Sequence, residues 1–288
     1  MIIEQEIGLA GSRGRCTALA LIFFAIFSSA EAAQFIITVA GTGAQGYSGD
    51  GIPATAAQLN IPYGVLADAA GNVYIADTNN QRIRKVDAVT GLISTIAGTG
   101  VWGYNGDGIP ATSAQLAYPW GVSLDSSGNV YIADYDNHRI RKVDAVTGLI
   151  STIAGTGVWG YNGDGIPATA AQLFYPSGIS ADAGGNIYIA DTINQRIRKV
   201  DAATGLISTI AGTGVEGYNG DGILATAAEL YNPYGVLADA AGNVYIADRS
   251  NKRIRKVDAG GVISTIAGTG EQGYNGDGIP ATAAQLFY

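Results

Sequence analysis

The tetrapeptide Ala-Gly-Thr-Gly returns at Ala40, Ala97, Ala154, Ala211 and Ala267, in steps of 57, 57, 57 and 56 residues. A period of this length restricts the chain to architectures that stack one supersecondary unit against copies of itself, because such a unit cannot bury its apolar surface alone. The repeats run over about 40–96, 97–153, 154–210 and 211–266, with a partial copy at 267–288.

Inside a repeat, short apolar runs alternate with turn chemistry. In the first copy the runs are Gly64–Asp68, Asn72–Asp77, Arg82–Asp87 and Leu92–Ala97, separated by Ala-Ala-Gly-Asn, Thr-Asn-Asn-Gln and Ala-Val-Thr-Gly. β-branched and aromatic residues fill the runs, and none keeps helical spacing over ten residues. The reading is all-β, with four antiparallel strands per repeat. The second run is apolar on both sides, Val73 and Ile75 on one and Tyr74 and Ala76 on the other. Each sheet therefore needs a neighbour on both faces, which a radial β-propeller supplies and a straight row leaves undone at its ends.

The run P-x-G-V…D…G-N-V-Y-I-A-D…N-x-R-I-R-K-V, starting at Pro62, Pro119, Pro176 and Pro233, resembles the NHL repeat. The connecting A-G-T-G…G-Y-N-G-D-G-I-P-A-T-A-A-Q-L is similar to that of bacterial secreted NHL proteins and of the teneurin propeller. The resemblance covers residues 35–288 and implies a propeller, commonly of about six blades. Because that family holds binding modules, sensors and a few enzymes, it implies fold more than function.

Residues 1–33 stand outside the repeat and read as a secretory signal peptide. Arg13 and Arg15 precede an apolar core over Thr17–Phe27, then small residues. The core is shorter than the ~20 residues of a spanning helix. The expected location is secreted or periplasmic, with no membrane span after cleavage. Cys16 is the single cysteine and lies in the leader, so no disulfide is available to residues 34–288.

The expected content is four complete blades plus an outer strand at Phe35–Ala40, with no inner strands before it. That predicts a partial ring, from a shortened gene, from head-to-tail assembly of chains, or from four blades closing with the extra strand spare. Open edges of apolar sheet predict self-association.

A formal net charge of −8 argues against nucleic acid, which needs clustered basic charge. The basic residues recur once per blade as Arg82/Arg84/Lys85, Arg139/Arg141/Lys142, Arg196/Arg198/Lys199 and Arg253/Arg255/Lys256, expected as a solvated belt near the rim. Asp77/Asn80/Arg82, with Asp134/Asn137/Arg139, Asp191/Asn194/Arg196 and Asp248/Asn251/Arg253, read as a structural motif, carboxylate meeting guanidinium while Asn takes the left-handed position. Asp50 and its equivalents Asp107, Asp164, Asp221 and Asp277 read as turn residues, and Ala54–Leu59 as a single helical turn after Pro53.

A ligand site is sought where blades differ. Departures cluster around the Pro-x-Gly start of each inner strand and after Ala-Gly-Thr-Gly, giving Tyr63, Trp102, Tyr118, Trp120, Trp159, Tyr175 and Tyr234 as a candidate aromatic rim for protein or carbohydrate contacts. No catalytic residues and no cofactor are assigned. His138 is the one histidine. The rival reading is a metal-dependent hydrolase or lactonase of the gluconolactonase-like propeller kind, with Asp68, Asp125, Asp182 and Asp239 as an acidic ring at the axis. Their place beside a Gly-Asn turn favours a turn role. The expected function is a noncatalytic extracytoplasmic binding scaffold.

Overall fold

The structure is a computed structural model that describes residues 36–287. The leader and Phe35 lie outside the described residues. A compact unit beginning at Thr38 carries every strand of the described residues.

Four antiparallel sheets repeat one plan. In the first, Pro62–Ala67 is innermost, followed outward by Val73–Asp77, Arg82–Val86 and Leu92–Ala97. The other three begin at Pro119, Pro176 and Pro233. The sheets are propeller blades, four of them among the described residues, and a six-bladed ring is not formed there. Each blade is five-stranded rather than four-stranded, because two residues of the connecting segment, Ile52–Pro53 in blade 1, pair with Leu92 and Ile93 outside the fourth strand. Two residues carry no periodicity, which hid this strand from sequence reasoning. The helical turn expected over Ala54–Leu59 is a 3-10 turn confined to Ala54–Ala56, after which Ala57 is extended.

Residues 36–40 take no strand, and Ile36, Ile37 and Val39 are exposed. A fourth-strand sequence needs a third strand for its hydrogen bonds, and among the described residues none pairs with it.

Each blade has two apolar faces. Tyr74, Ala76, Ile83 and Ala97 form the leading face of blade 1, and Val122, Val130, Ile132, Val143 and Ile150 the trailing face of blade 2. Between them lies the connecting segment, with Ala111, Ala114 and Leu116 buried. The same sandwich joins blade 2 to blade 3 and blade 3 to blade 4. Glycine at the inner strand permits the approach: a Cβ at Gly64, Gly121 or Gly178 would run into the backbone oxygen of Trp120, Ser177 or Tyr234 in the next blade.

Among the described residues no comparable seam joins blade 4 to blade 1. A Cβ at Gly235 would meet only Ala247 of its own sheet. Val65 on the trailing face of blade 1 is 69% exposed, whereas its equivalents Val122, Ile179 and Val236 are 7%, 7% and 9% exposed. The blades thus form an arc with two open faces.

Candidate functional site

The innermost strand of each blade shifts register at its start, between Pro62 and Val65, Pro119 and Val122, Pro176 and Ile179, and Pro233 and Gly235. A bulge turns side chains out of the pairing pattern. Tyr63, Trp120, Ser177 and Tyr234 are therefore delivered to one cavity of about 470 Å3 at the axis, within the range of small-ligand pockets.

The aromatic side chains stack on one another around this cavity. Trp120 lies 4.4 Å from Tyr63, 4.3 Å from Tyr135 and 5.1 Å from Tyr234 between ring centroids. Tyr135 continues the stack to Tyr175 at 4.6 Å, and Tyr175 meets Phe174 at 5.0 Å. Arg249 places its guanidinium 4.5 Å over Tyr234 and lines the same cavity. Burial, together with the hydroxyl of Tyr234, raises the Tyr135 phenol above its ordinary value, so it stays protonated as a hydrogen-bonding group.

Of the sequence-predicted residues, Tyr63, Trp120 and Tyr234 line the cavity and Tyr175 supports it from behind. Tyr118 does not line it. Its backbone is left-handed, at φ 49°, and its N–H is held by the Gln81 side chain at 2.6 Å. Trp159 leans on Phe174 at 5.0 Å, and Trp102 reaches Asp136 at 3.4 Å, so both lie on the same end of the blades but outside the cavity. Sequence reasoning missed Tyr135 and Arg249. The signal was present: the residue after each Val/Ile-Tyr-Ile-Ala-Asp run reads Thr78, Tyr135, Thr192, Arg249. Thr78 and Thr192 donate to the oxygen of Pro119 and Pro233 across their seams, at 2.7 and 2.9 Å. Tyr135 and Arg249 join the aromatic cluster at the mouth instead.

The per-blade motif holds the blade together, with different partners from those expected. Asp77 accepts from the Asn60 N–H at 2.7 Å and the Asn80 amide at 2.8 Å, and Asn80 also donates to the oxygen of Gly46. Asn137, Asn194 and Asn251 repeat this tie, each donating at 2.8 Å to its own carboxylate, Asp134, Asp191 or Asp248. The same three amides reach the oxygens of Gly103, Gly160 and Gly217 at 2.6–2.7 Å. The expected left-handed asparagine is therefore corrected in every blade. None of Asn80, Asn137, Asn194 and Asn251 has a positive φ, and the left-handed residue is the next one: Gln81, His138, Gln195 and Lys252, at φ 51–53°. The shift by one position leaves each asparagine amide free to bridge carboxylate and loop.

The expected pairing of Asp77 with Arg82 is corrected as well. Arg82 donates to the oxygens of Asn80 and Thr99 and stacks 3.8 Å over Tyr47. Arg139, Arg196 and Arg253 likewise donate to the oxygens of Asn137, Asn194 and Asn251, and to Thr156, Thr213 and Thr269.

Arg84 is the ion-pair partner of Asp77, at 3.5 Å, and also binds Asp50 at 2.9 Å and the oxygen of Gly49. Arg84, Arg141, Arg198 and Arg255 are fully buried, so the expected solvated basic belt is in this respect overturned. The connecting loop folds over each guanidinium with Asp50 and Tyr47 and sequesters it. Asp50 is thus more than a turn residue, and Asp107, Asp164 and Asp221 repeat its clamp at 2.8–3.0 Å. Burial pushes the partner carboxyls Asp134 and Asp191 up to about 6, against the hydrogen bonds and the arginine that favour their charge.

At the opposite end of the inner strands, Asp68 accepts from the Asn72 N–H and side-chain amide and from the Ala70 N–H, at 2.8–3.0 Å. The Asn72 amide is the main cause that holds its carboxyl below the usual range. Asp125, Asp182 and Asp239 repeat the loop. All four carboxylates are committed to their own turns, and among the described residues no three His, Cys, Asp or Glu side chains converge on a metal position. His138 is a seam contact: its Nδ1 accepts from the Tyr175 N–H at 3.2 Å, where Gln81 and Gln195 use a side-chain oxygen in the neighbouring seams.

The profile of the NHL repeat matches residues 116–143, and that of the teneurin NHL domain matches residues 28–104, 159–217 and 214–284. The chain belongs to the NHL-repeat family. This NHL chain is 37% identical over 145 residues to Protein SUPPRESSOR OF QUENCHING 1, chloroplastic, of Arabidopsis thaliana, covering 48% of itself and 13% of that protein. It is 30% identical over 241 residues to NHL repeat-containing protein 2 of Bos taurus, covering 74% of itself and 33% of that protein. It therefore spans a third or less of the length of these relatives. Among solved structures it is similar in fold to an auxiliary nutrient binding protein from Bacteroides thetaiotaomicron, with TM-score 0.51 and 22% identity, over 70% of this chain and 47% of that one.

Proposed function

We propose that this NHL propeller is a noncatalytic binding scaffold that receives a segment of a protein partner at the axial mouth. The observation that carries the reading is the convergence of Tyr63, Trp120, Tyr234 and Arg249, from three blades, on one cavity of about 470 Å3. These residues depart from the repeat, and Tyr, Trp and Arg dominate the energetics of protein contacts. A carbohydrate platform needs a free aromatic face, and Trp120 is stacked against Tyr135 and Tyr234 and packed at a tilt against Tyr63. Tyr63, 58% exposed, and the guanidinium of Arg249 offer an apolar contact beside a cation, which fits a segment carrying an aromatic and an acidic residue. The scaffold is read as extracytoplasmic, a proposal supported by the Arg13/Arg15, Thr17–Phe27 and small-residue pattern of residues 1–33.

Intrinsic fluorescence tests it, because Trp102, Trp120 and Trp159 all lie at this end of the blades. Titration with arrays of peptides and of oligosaccharides is expected to find peptide ligands with aromatic and acidic residues. Trp120→Ser, which installs the side chain that blade 3 carries at Ser177, and Arg249→Ala should each weaken them by about tenfold or more. Binding of oligosaccharides alone, or peptide binding indifferent to both substitutions, refutes the assignment.

A further inference from the structure

The described residues contain four blades but five connecting segments, and the fifth keeps the internal ties and the 3-10 turn of the others, without the two-residue strand that they add to a following blade. In segments two to five an asparagine ties the loop twice: Asn275 donates to the oxygen of Ala283 at 2.9 Å and accepts from the Gln285 N–H at 2.8 Å, as Asn105 does with Ser113 and Gln115. Segment five is anchored to blade 4 through Gly268 N–H to Ala281 oxygen and Thr269 N–H to Ala284 oxygen. Its outward groups are those that clamp a following blade elsewhere. Tyr274 is 73% exposed, against 36–38% for Tyr47, Tyr104, Tyr161 and Tyr218, which stack on arginines. Asp277, equivalent to the Arg84 partner Asp50, makes no side-chain hydrogen bond or ion pair among the described residues, and is exposed.

Segment one holds the trailing face of blade 1 with one tie fewer. Ser48 stands where the others have asparagine and makes a single bond, from the Gln58 N–H at 2.9 Å. Yet residues 278–286 repeat residues 51–59 letter for letter. The open leading face of blade 4 carries Tyr245, Ile254 and the exposed Leu237, and the open trailing face of blade 1 carries Val65. Faces of this kind pack together at all three internal seams, each around one connecting segment.

We propose that the open face of blade 4 binds the open face of blade 1 in a second copy of this chain, and that segment five of the first copy displaces segment one of the second. Asp277 then takes the place of Asp50 on Arg84 and Tyr274 that of Tyr47, while Ile279–Pro280 pair with Leu92 and Ile93 in the same register. One segment must leave, because each seam has room for one, and the Ser48 segment is the more weakly tied. The contact is heterologous, so it either closes into a ring or propagates.

Sedimentation velocity on the full chain over a range of concentration decides it. The expected result is a mass of two or more chains, weakened about tenfold or more by Val65→Asp and by Asp277→Ala, neither of which packs in a single copy. Ser48→Asn should weaken association by fastening segment one, and Asp50→Ala should strengthen it. A single-chain mass at the highest soluble concentration overturns the proposal. So does association that Asp277→Ala leaves intact and Asp50→Ala abolishes, since segment one would then form the seam.

Discussion

The middle of the arc and its two flanks are made of nearly the same residues and behave as different materials. Val122 and Val65 occupy the same position, in the same strand, with the same neighbours within the sheet, yet one is buried and the other is open to solvent. Burial in this fold is thus conferred by the adjacent blade. The guanidinium clamp follows another rule: Arg84 in the flank is as buried as Arg141 in the middle, because its own connecting loop covers it. A blade is locally complete around its arginine and incomplete on its faces.

The largest expected effect probes the clamp. Arg84→Met and Arg141→Met each leave a buried carboxylate without its charge partner, and each should cost about 3–5 kcal/mol in urea unfolding. Equal losses support a clamp that is independent of neighbours, and a much smaller loss for Arg84 breaks the distinction. Next in size, Gly121→Ala should cost about 1–3 kcal/mol, because the new methyl meets the backbone of Ser177. Gly235→Ala, measured at concentrations where the chain is a single copy, should change stability by no more than about 0.5 kcal/mol, and similar losses at both sites would mean that blade 4 is sealed within one chain.

The smallest effect is one of pH. Burial is the main cause that lowers the His138 imidazole below its ordinary value, and its Nδ1 accepts a hydrogen bond across the second seam. The unfolded chain therefore takes up a proton first as pH falls through about 6.5, and the folded state loses stability over that range. Asp134 and Asp191, raised to about 6, have the opposite sign: their contribution is lost as pH rises through about 6 and regained below it. His138→Gln, the residue of the neighbouring seams, leaves those carboxyls in place. Melting temperatures from pH 7 to 5 should therefore fall more for the native chain than for the variant.

Strand boundaries were legible because period-2 patterning and Gly-Asn turns are local signals. Val73–Asp77 and Leu92–Ala97 lie within one residue of where the sequence puts them. The buried arginines were not legible. Nothing near Arg84 in sequence announces that a loop 34 residues earlier will cover it, so the charge reads as surface. At the mouth, Tyr63, Trp120 and Tyr234 stand out against the repeat, whereas Tyr135 and Arg249 lie in the turn of the structural motif, which masks them in the sequence. The left-handed residue was misplaced by one position, since asparagine is the usual occupant. Here the amides of Asn80, Asn137, Asn194 and Asn251 are needed elsewhere, each tying its aspartate to the glycine of a loop that only the folded chain brings near.

The third and fourth strands read Arg-Ile-Arg-Lys-Val and Leu-Ile-Ser-Thr-Ile-Ala, unchanged through the first three blades. No side chain there can tell its own partner from that of the next sheet. Tether length alone enforces correct pairing during folding, through a turn as short as Asp87–Gly91. Cutting that turn would erase the order of assembly and leave interchangeable pieces, free to recombine in any sequence that chain entropy permits.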